Sequence, residues 1–147
     1  MRGDDDWDDD EQEGFPPIIV FDLGAREWRC GWAGDDGPAV VVDPPSADTP
    51  LRAAFASAFE ELEAEVDEHA ILISERPGTQ VGEREALASL LFELGARAVY
   101  ASACPLLTLY HTEMDTGIVV DIGERSTYIY PIYEGHSVLG AATAVFI

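Results

Sequence analysis

The chain has 147 residues, 47% of them apolar, with 29 acids against eight bases and a formal net charge of −21. That length fits one domain, or one domain with a piece of another, and the apolar share is ample for a core. Such acidity excludes nucleic acid and an anionic membrane surface as partners, since both need basic patches.

Every base is Arg and Lys is absent, which excludes a P-loop and a lysine Schiff base. Cys30 and Cys104 belong to no CxxC pattern, as expected of reduced thiols in a cytosolic or nuclear protein. The acidic N-terminus is unlike any secretory signal or transit peptide. No apolar run reaches the length of a membrane span.

Residues 1–14, "MRGDDDWDDDEQEG", hold eight acids against Arg2, a net −7 that leaves −14 for the rest. Repulsion among these acids exceeds what Trp7 can bury, so a disordered tail is expected. "IIVFDLG" then reads as a short buried strand. "REWRCGWAG" alternates, with Trp28, Cys30 and Trp32 on one side, and "AVVVD" at 39–43 closes a three-strand meander. Asp48 or Thr49 can cap a helix that has Pro50 at its first position. Its inward face is Leu51, Phe55, Phe59, Leu62 and Val66. "AILIS" at 70–74 is a strand, and "EREALASLLFEL" is a helix with Leu87, Leu90, Leu91 and Leu94 inward, stopped by Gly95. "AVYAS" is a further strand, after which Ser102 can cap a short helix running to about Tyr110.

From Thr116 the opening pattern restarts as "GIVVDIG", "STYIYPIYEG" and "HSVLGAATAVFI". The order is therefore βββ-α-β-α-β-α followed by a fresh βββ. "VFDLGAR" and "VVDIGER" write one turn twice, with Asp22 and Asp121 standing 99 residues apart. A lone Asp-x-Gly after a strand is a common turn in which the Asp serves as a cap; a duplicated one marks a repeated unit.

The two turns, in register with "GWAGDDGP" and "PIYEG", resemble the phosphate-binding hairpins of the actin and actin-related protein superfamily. "EELEAEVDEHAILISERP", "EREALASLLFE" and "LLTLY" fall between them in the family's order. The resemblance covers residues 18 to roughly 140. "DIGER" before "PIYEG" is similar to the actin-related protein of the dynactin pointed end as much as to conventional actin. It implies an α/β, actin-like ATPase (ribonuclease H-like) fold, with one βββαβα unit plus the first strands of a second. The implied organisation is an acidic tail at 1–17, a first domain at 18–112 whose small subdomain is lost between 43 and 50, and the opening of a second domain at 113–147.

The resemblance further implies a cleft in which hairpin N–H groups face the phosphates of ATP or ADP, with Asp22 and Asp121 holding Mg²⁺ through water. Gly24 and Gly123 let the backbone approach phosphate. Ala25, Arg26, Glu124 and Arg125 depart from the family's small residues, and Arg is expected to conflict with a turn that needs φ > 0. Arg26 and Arg125 either grip phosphate themselves or pair with Asp22, Asp121 or another acid; loss of the glycine contacts favours pairing. Arg29 stands at a phosphate-contacting lysine position, or is a solvated strand residue. Cys104 and Tyr128 replace the glutamine and histidine near the attacking water, and a thiol substitutes poorly for an amide. His69, His111 and His136 show no metal spacing.

These readings imply a divergent actin-related protein, cytoskeletal or scaffold in role, with a degenerate ATP cleft and without hydrolysis. Its implied partners are actin or actin-related proteins, and its implied place is the cytoplasm, with the nucleus as the alternative. An ATPase of the actin and sugar kinase clan is a second reading. A third is an inactive fragment of a longer actin-related protein, suggested by the apolar ending "TAVFI".

Overall fold

The computed structural model describes residues 16–146; the acidic tail up to residue 15 lies outside the described residues. Five strands form the first sheet: β1 (Ile19–Leu23), β2 (Trp28–Trp32), β3 (Val40–Val42), β4 (Ala70–Glu75) and β5 (Ala98–Ala103). Their spatial order is β3-β2-β1-β4-β5. The first three pair antiparallel as a meander, while β4 lies parallel to both β1 and β5. Parallel neighbours need crossovers, and helices α1 (Leu51–Glu61) and α2 (Val81–Glu93) supply them.

The core lies between this sheet and the two helices. Ile19, Phe21, Trp28, Cys30, Ile71 and Ile73 point from the strands at Ala54, Phe55, Ala58, Phe59 and Leu91. Phe21 meets Phe55 and Phe59 edge-on, with ring centroids 5.1 and 5.3 Å away. Full burial of such a ring is worth about 2–3 kcal/mol. His69 closes the sheet from outside: its ring packs edge-on against Trp32, and its Nδ1 lies 2.8 Å from the Pro17 carbonyl.

Several helix ends differ from the sequence expectation. Pro50 is the residue before α1 rather than its first, and neither Asp48 nor Thr49 caps it. Both give their N–H to Ser46 Oγ at 3.2 Å, in a turn that precedes the helix. The helix stops at Glu61 instead of reaching Val66, because Glu63 turns to φ +55°; Val66 starts a separate 3₁₀ turn. Helix α2 begins two residues before "EREALASLLFEL", with the Gln80 N–H donating to Glu83 Oε2 at 3.2 Å. Gly95 ends it at φ +111°, a left-handed conformation that glycine adopts without strain. Ser102 does not cap the third helix; it remains in β5, buried, and α3 (Cys104–His111) opens after Ala103 with Pro105 in its first turn.

The second sheet comprises β6 (Gly117–Ile122), β7 (Ser126–Tyr133), β8 (His136–Ser137) and β9 (Thr143–Phe146). β6 pairs antiparallel with β7, whose far side carries β8 at one end and β9 at the other. The third strand expected over "HSVLGAATAVFI" is thus two short strands separated by a 3₁₀ turn at Leu139–Ala141. Leu109 of α3 packs with Tyr130 and Ile132 to form a small second core. The opposite face leaves Ile118, Val120 and Ile122 exposed. No helix among the described residues is long and apolar enough to cross a membrane.

Candidate functional site

β1 and β6 both end in an Asp-x-Gly turn, and α3 bridges the sheets, so the two turns face each other across a cleft of about 560 Å³. All eleven positions singled out in the sequence line it: Asp22, Gly24, Ala25, Arg26, Arg29, Cys104, Asp121, Gly123, Glu124, Arg125 and Tyr128. The pattern of duplicated strand ends explains this. Each Asp lies near a strand terminus where the hairpin begins, and the two hairpins use the same pairing, Asp22 opposite Arg29 and Asp121 opposite Tyr128.

Closure of the turn leaves no room for a side chain at Gly24 and little at Gly123. A Cβ on Gly24 would lie 2.5 Å from the Glu27 carbonyl oxygen, and one on Gly123 would lie 3.2 Å from that of Ser126. The Gly123 N–H already donates to the Ser126 carbonyl at 2.9 Å. Arg26 and Arg125 raise no backbone conflict, contrary to expectation. Among the described non-glycine residues φ is positive only at Glu63, Glu113 and Glu134, so both turns accept an Arg two positions after the Gly.

The charges in the cleft are arranged differently from the expected pairing. Arg29 forms an exposed ion pair with Glu27, its Nε 2.9 Å from Oε1. The other two ion pairs among the described residues, Arg52–Glu93 and Arg84–Glu75, lie elsewhere. Arg26 and Arg125 therefore pair with neither Asp22 nor Asp121. Cys104 donates from Sγ to Asp121 Oδ2 at 4.0 Å. Burial, and then the charges of Asp121 and Asp22, push the thiol up to about 12, with Arg76 acting weakly in the other direction. The sulfur is a protonated, poorly nucleophilic group held near both carboxylates.

Sequence reasoning missed Glu27, Ser74, Arg76 and Thr108, which also line the cleft. Ser74 and Arg76 sit at the carboxyl end of β4, parallel to β1, and ligand crevices in such sheets open at that end. A strand-direction argument would have found them. The histidines contribute nothing to the cleft: His136 Nδ1 lies 2.7 Å from the Glu134 carbonyl. No cluster of three or more metal-ligating side chains occurs among the described residues.

A five-stranded sheet of order 3-2-1-4-5, joined by a helix to a second hairpin that faces the first, defines the actin-like class of α/β proteins. The Actin family model matches residues 51–145. The chain belongs to the actin family. It is similar to Actin-related protein 2 of Acanthamoeba castellanii, at 39% identity over 80 residues, covering 54% of this chain and 21% of that relative. The matched segment thus spans about a fifth of the relative's length.

Proposed function

We propose that the chain acts as a non-hydrolysing, actin-like scaffold component of the cytoskeleton, binding actin or actin-related proteins in the cytoplasm. Cys104 carries this reading. Hydrolysis requires a group that orients water by both donating and accepting. A thiol pushed up to about 12, with its weak proton directed at Asp121, does neither well. The exposed aliphatic face of β6 supports a role in protein contact.

Members of this family bind ATP or ADP with Mg²⁺, and only half of that chemistry fits the residues here. Asp22 and Asp121 line one cleft, and two carboxylates with retained waters suit Mg²⁺. The phosphate side fits poorly: Glu124 brings a further carboxylate into the cleft, and the side chains of Arg26 and Arg125 occupy its walls. The division into an acidic tail at 1–17, a first domain at 18–112 without its small subdomain, and a second domain opening at 113 belongs to the same reading. The seven-residue gap of 44–50 between Asp43 and Leu51, where α1 begins, supports it.

The test has two readouts on the purified chain. Co-sedimentation with filaments of actin is expected, together with no steady phosphate release from Mg-ATP. Phosphate release abolished by Asp121→Ala would establish an ATPase instead, and absence of co-sedimentation would remove the scaffold reading.

A further inference from the structure

The two hairpins are copies in register. Phe21 opposes Cys30 and Leu23 opposes Trp28 in the first; Val120 opposes Ile129 and Ile122 opposes Thr127 in the second. Each residue stands 99 positions from its counterpart, the spacing of the two Asp-x-Gly turns. Side chains alternate between faces along a strand, so the repeat carries one face of the first sheet onto one face of the second. In the first sheet that face is the core, where Phe21 is 0% and Cys30 2% exposed beneath Phe55 and Phe59 of α1. In the second it is bare among the described residues: Val120 is 54% and Ile129 40% exposed, and Val145 of β9, opposite Thr127, extends the patch. The reverse face is already covered, with Tyr130 and Ile132 packed against Leu109 of α3. A sheet that is apolar on both faces is suited to cover on both.

We propose that the outer face of β6, β7 and β9 docks an amphipathic helix of a separate protein, with Phe or Leu at i and i+4 against the sheet and Lys or Arg along its flanks. The inference rests on the reading above in taking this chain to act through protein contacts. The repeat supplies the shape of the occupant, since α1 covers the equivalent face with two rings one helical turn apart. The second sheet has Val120 and Thr127 where the first has Phe21 and Trp28. Its floor is therefore lower and takes large anchors from the helix. Helices that bind a groove are held by such i, i+4 anchors. Charge supplies the rest. Residues 113–147 hold five acids against Arg125. Glu124 stands at one end of the hairpin, Asp115 and Glu134 at the other, and none of them forms an ion pair among the described residues. A net charge of −21 repels a second copy and attracts a cationic segment.

The experiment is fluorescence anisotropy of a labelled synthetic peptide titrated with the full chain at low ionic strength, where like charge keeps copies of the chain apart. The peptide is about 16 residues long, with Phe and Leu at i, i+4 spacing and Lys on its polar face. A scrambled isomer and a form with Glu for Lys are the controls. The first peptide is expected to bind and to gain helix by circular dichroism, and both controls to bind about tenfold more weakly or less. Val120→Glu and Ile118→Glu each weaken binding by about tenfold or more, because a carboxylate is then buried against apolar anchors. Val41→Glu, at an exposed site on the first sheet, leaves it unchanged. An added acid strengthens a contact made by charge alone, so the sign of the effect separates the two. Thermal melting of each variant verifies the fold. Equal binding of the scrambled peptide or the Glu form, binding unchanged or tightened by Val120→Glu, or no binding at all overturns the proposal. So does a chain already dimeric in the same buffer whose dimer Val120→Glu dissociates, which identifies a second copy as the occupant. A chain that ignores the peptide yet co-sediments with actin filaments loses this inference alone. A chain that binds the peptide without co-sedimenting loses the filament reading alone.

Discussion

The Cys104 thiol donates to Asp121 Oδ2 across 4.0 Å and so ties the first residue of α3 to the end of β6. The bond joins the two halves of the cleft through a group that must stay protonated to make it. Its pKa is raised from 9.0 to about 12 by burial first, then by Asp121 and Asp22. Between those values the unfolded chain has released the proton while the folded chain retains it, so stability falls as pH rises. The contribution is complete below pH 9 and lost toward pH 12. Cys30, raised to about 11 by burial and then Glu61, adds a second fall over a narrower window. Cys104→Ala is expected to make the decline shallower without abolishing it. Urea midpoints measured under reductant from pH 8 upward check this, and an identical slope in the variant would refute it.

Phe55 is fully buried and meets three aromatic partners: Phe21, Trp28 and Phe59. Its side chain joins α1 to both β1 and β2, and the packed rings around it have little freedom to collapse into a void. Phe55→Ala is expected to cost about 3–5 kcal/mol, and Phe55→Leu less than half of that. Denaturant unfolding gives both values. Equal costs for the two variants would mean that ring geometry, rather than volume, governs the site.

What was legible in the sequence follows the range of the signal. The two Asp-x-Gly turns, the Phe55 and Phe59 face of α1 and the leucine face of α2 are short-range patterns and appear in the fold, whereas Leu51, expected on the inward face of α1, stays exposed. Ser46 capturing the N–H groups of Asp48 and Thr49 is local too, but it competes with capping, and propensity does not decide between them. Arg76 required knowing that β4 runs parallel to β1, a relation between segments about fifty residues apart. The ion pair of Arg29 with Glu27 is short-range yet was hidden by comparison with a lysine position, which draws attention to phosphate rather than to a neighbouring acid.

Gly24 illustrates how little room the first hairpin leaves. An added Cβ would stand 2.5 Å from the Glu27 carbonyl oxygen, which is backbone and cannot rotate away. Gly24→Ala must open the turn and shift Arg26 with it. The expected cost is about 1–3 kcal/mol. The equivalent change at Gly123, where the contact is 3.2 Å, is expected to cost less. Urea unfolding of the two variants ranks them, and the reverse order would show that the second hairpin is the tighter one.

The last prediction concerns β6, whose residues Ile118, Val120 and Ile122 are 69%, 54% and 77% exposed on one face. Among the described residues the strand has β7 on one side only, so its other edge offers unpaired backbone groups beside an aliphatic surface. Apolar contact and edge pairing favour association of two chains, while a net charge of −21 on each opposes it. Salt screens the repulsion and leaves the apolar contact intact, with the Debye length falling to about 3 Å at 1 M. Self-association is therefore expected to increase with ionic strength, the reverse of a complex held by ion pairs. Val120→Lys places a charge at the centre of the face and is expected to keep the chain monomeric at all salt concentrations. Sedimentation velocity at low and high salt distinguishes the cases: a wild-type chain that stays monomeric in high salt would show that the face is too small to associate.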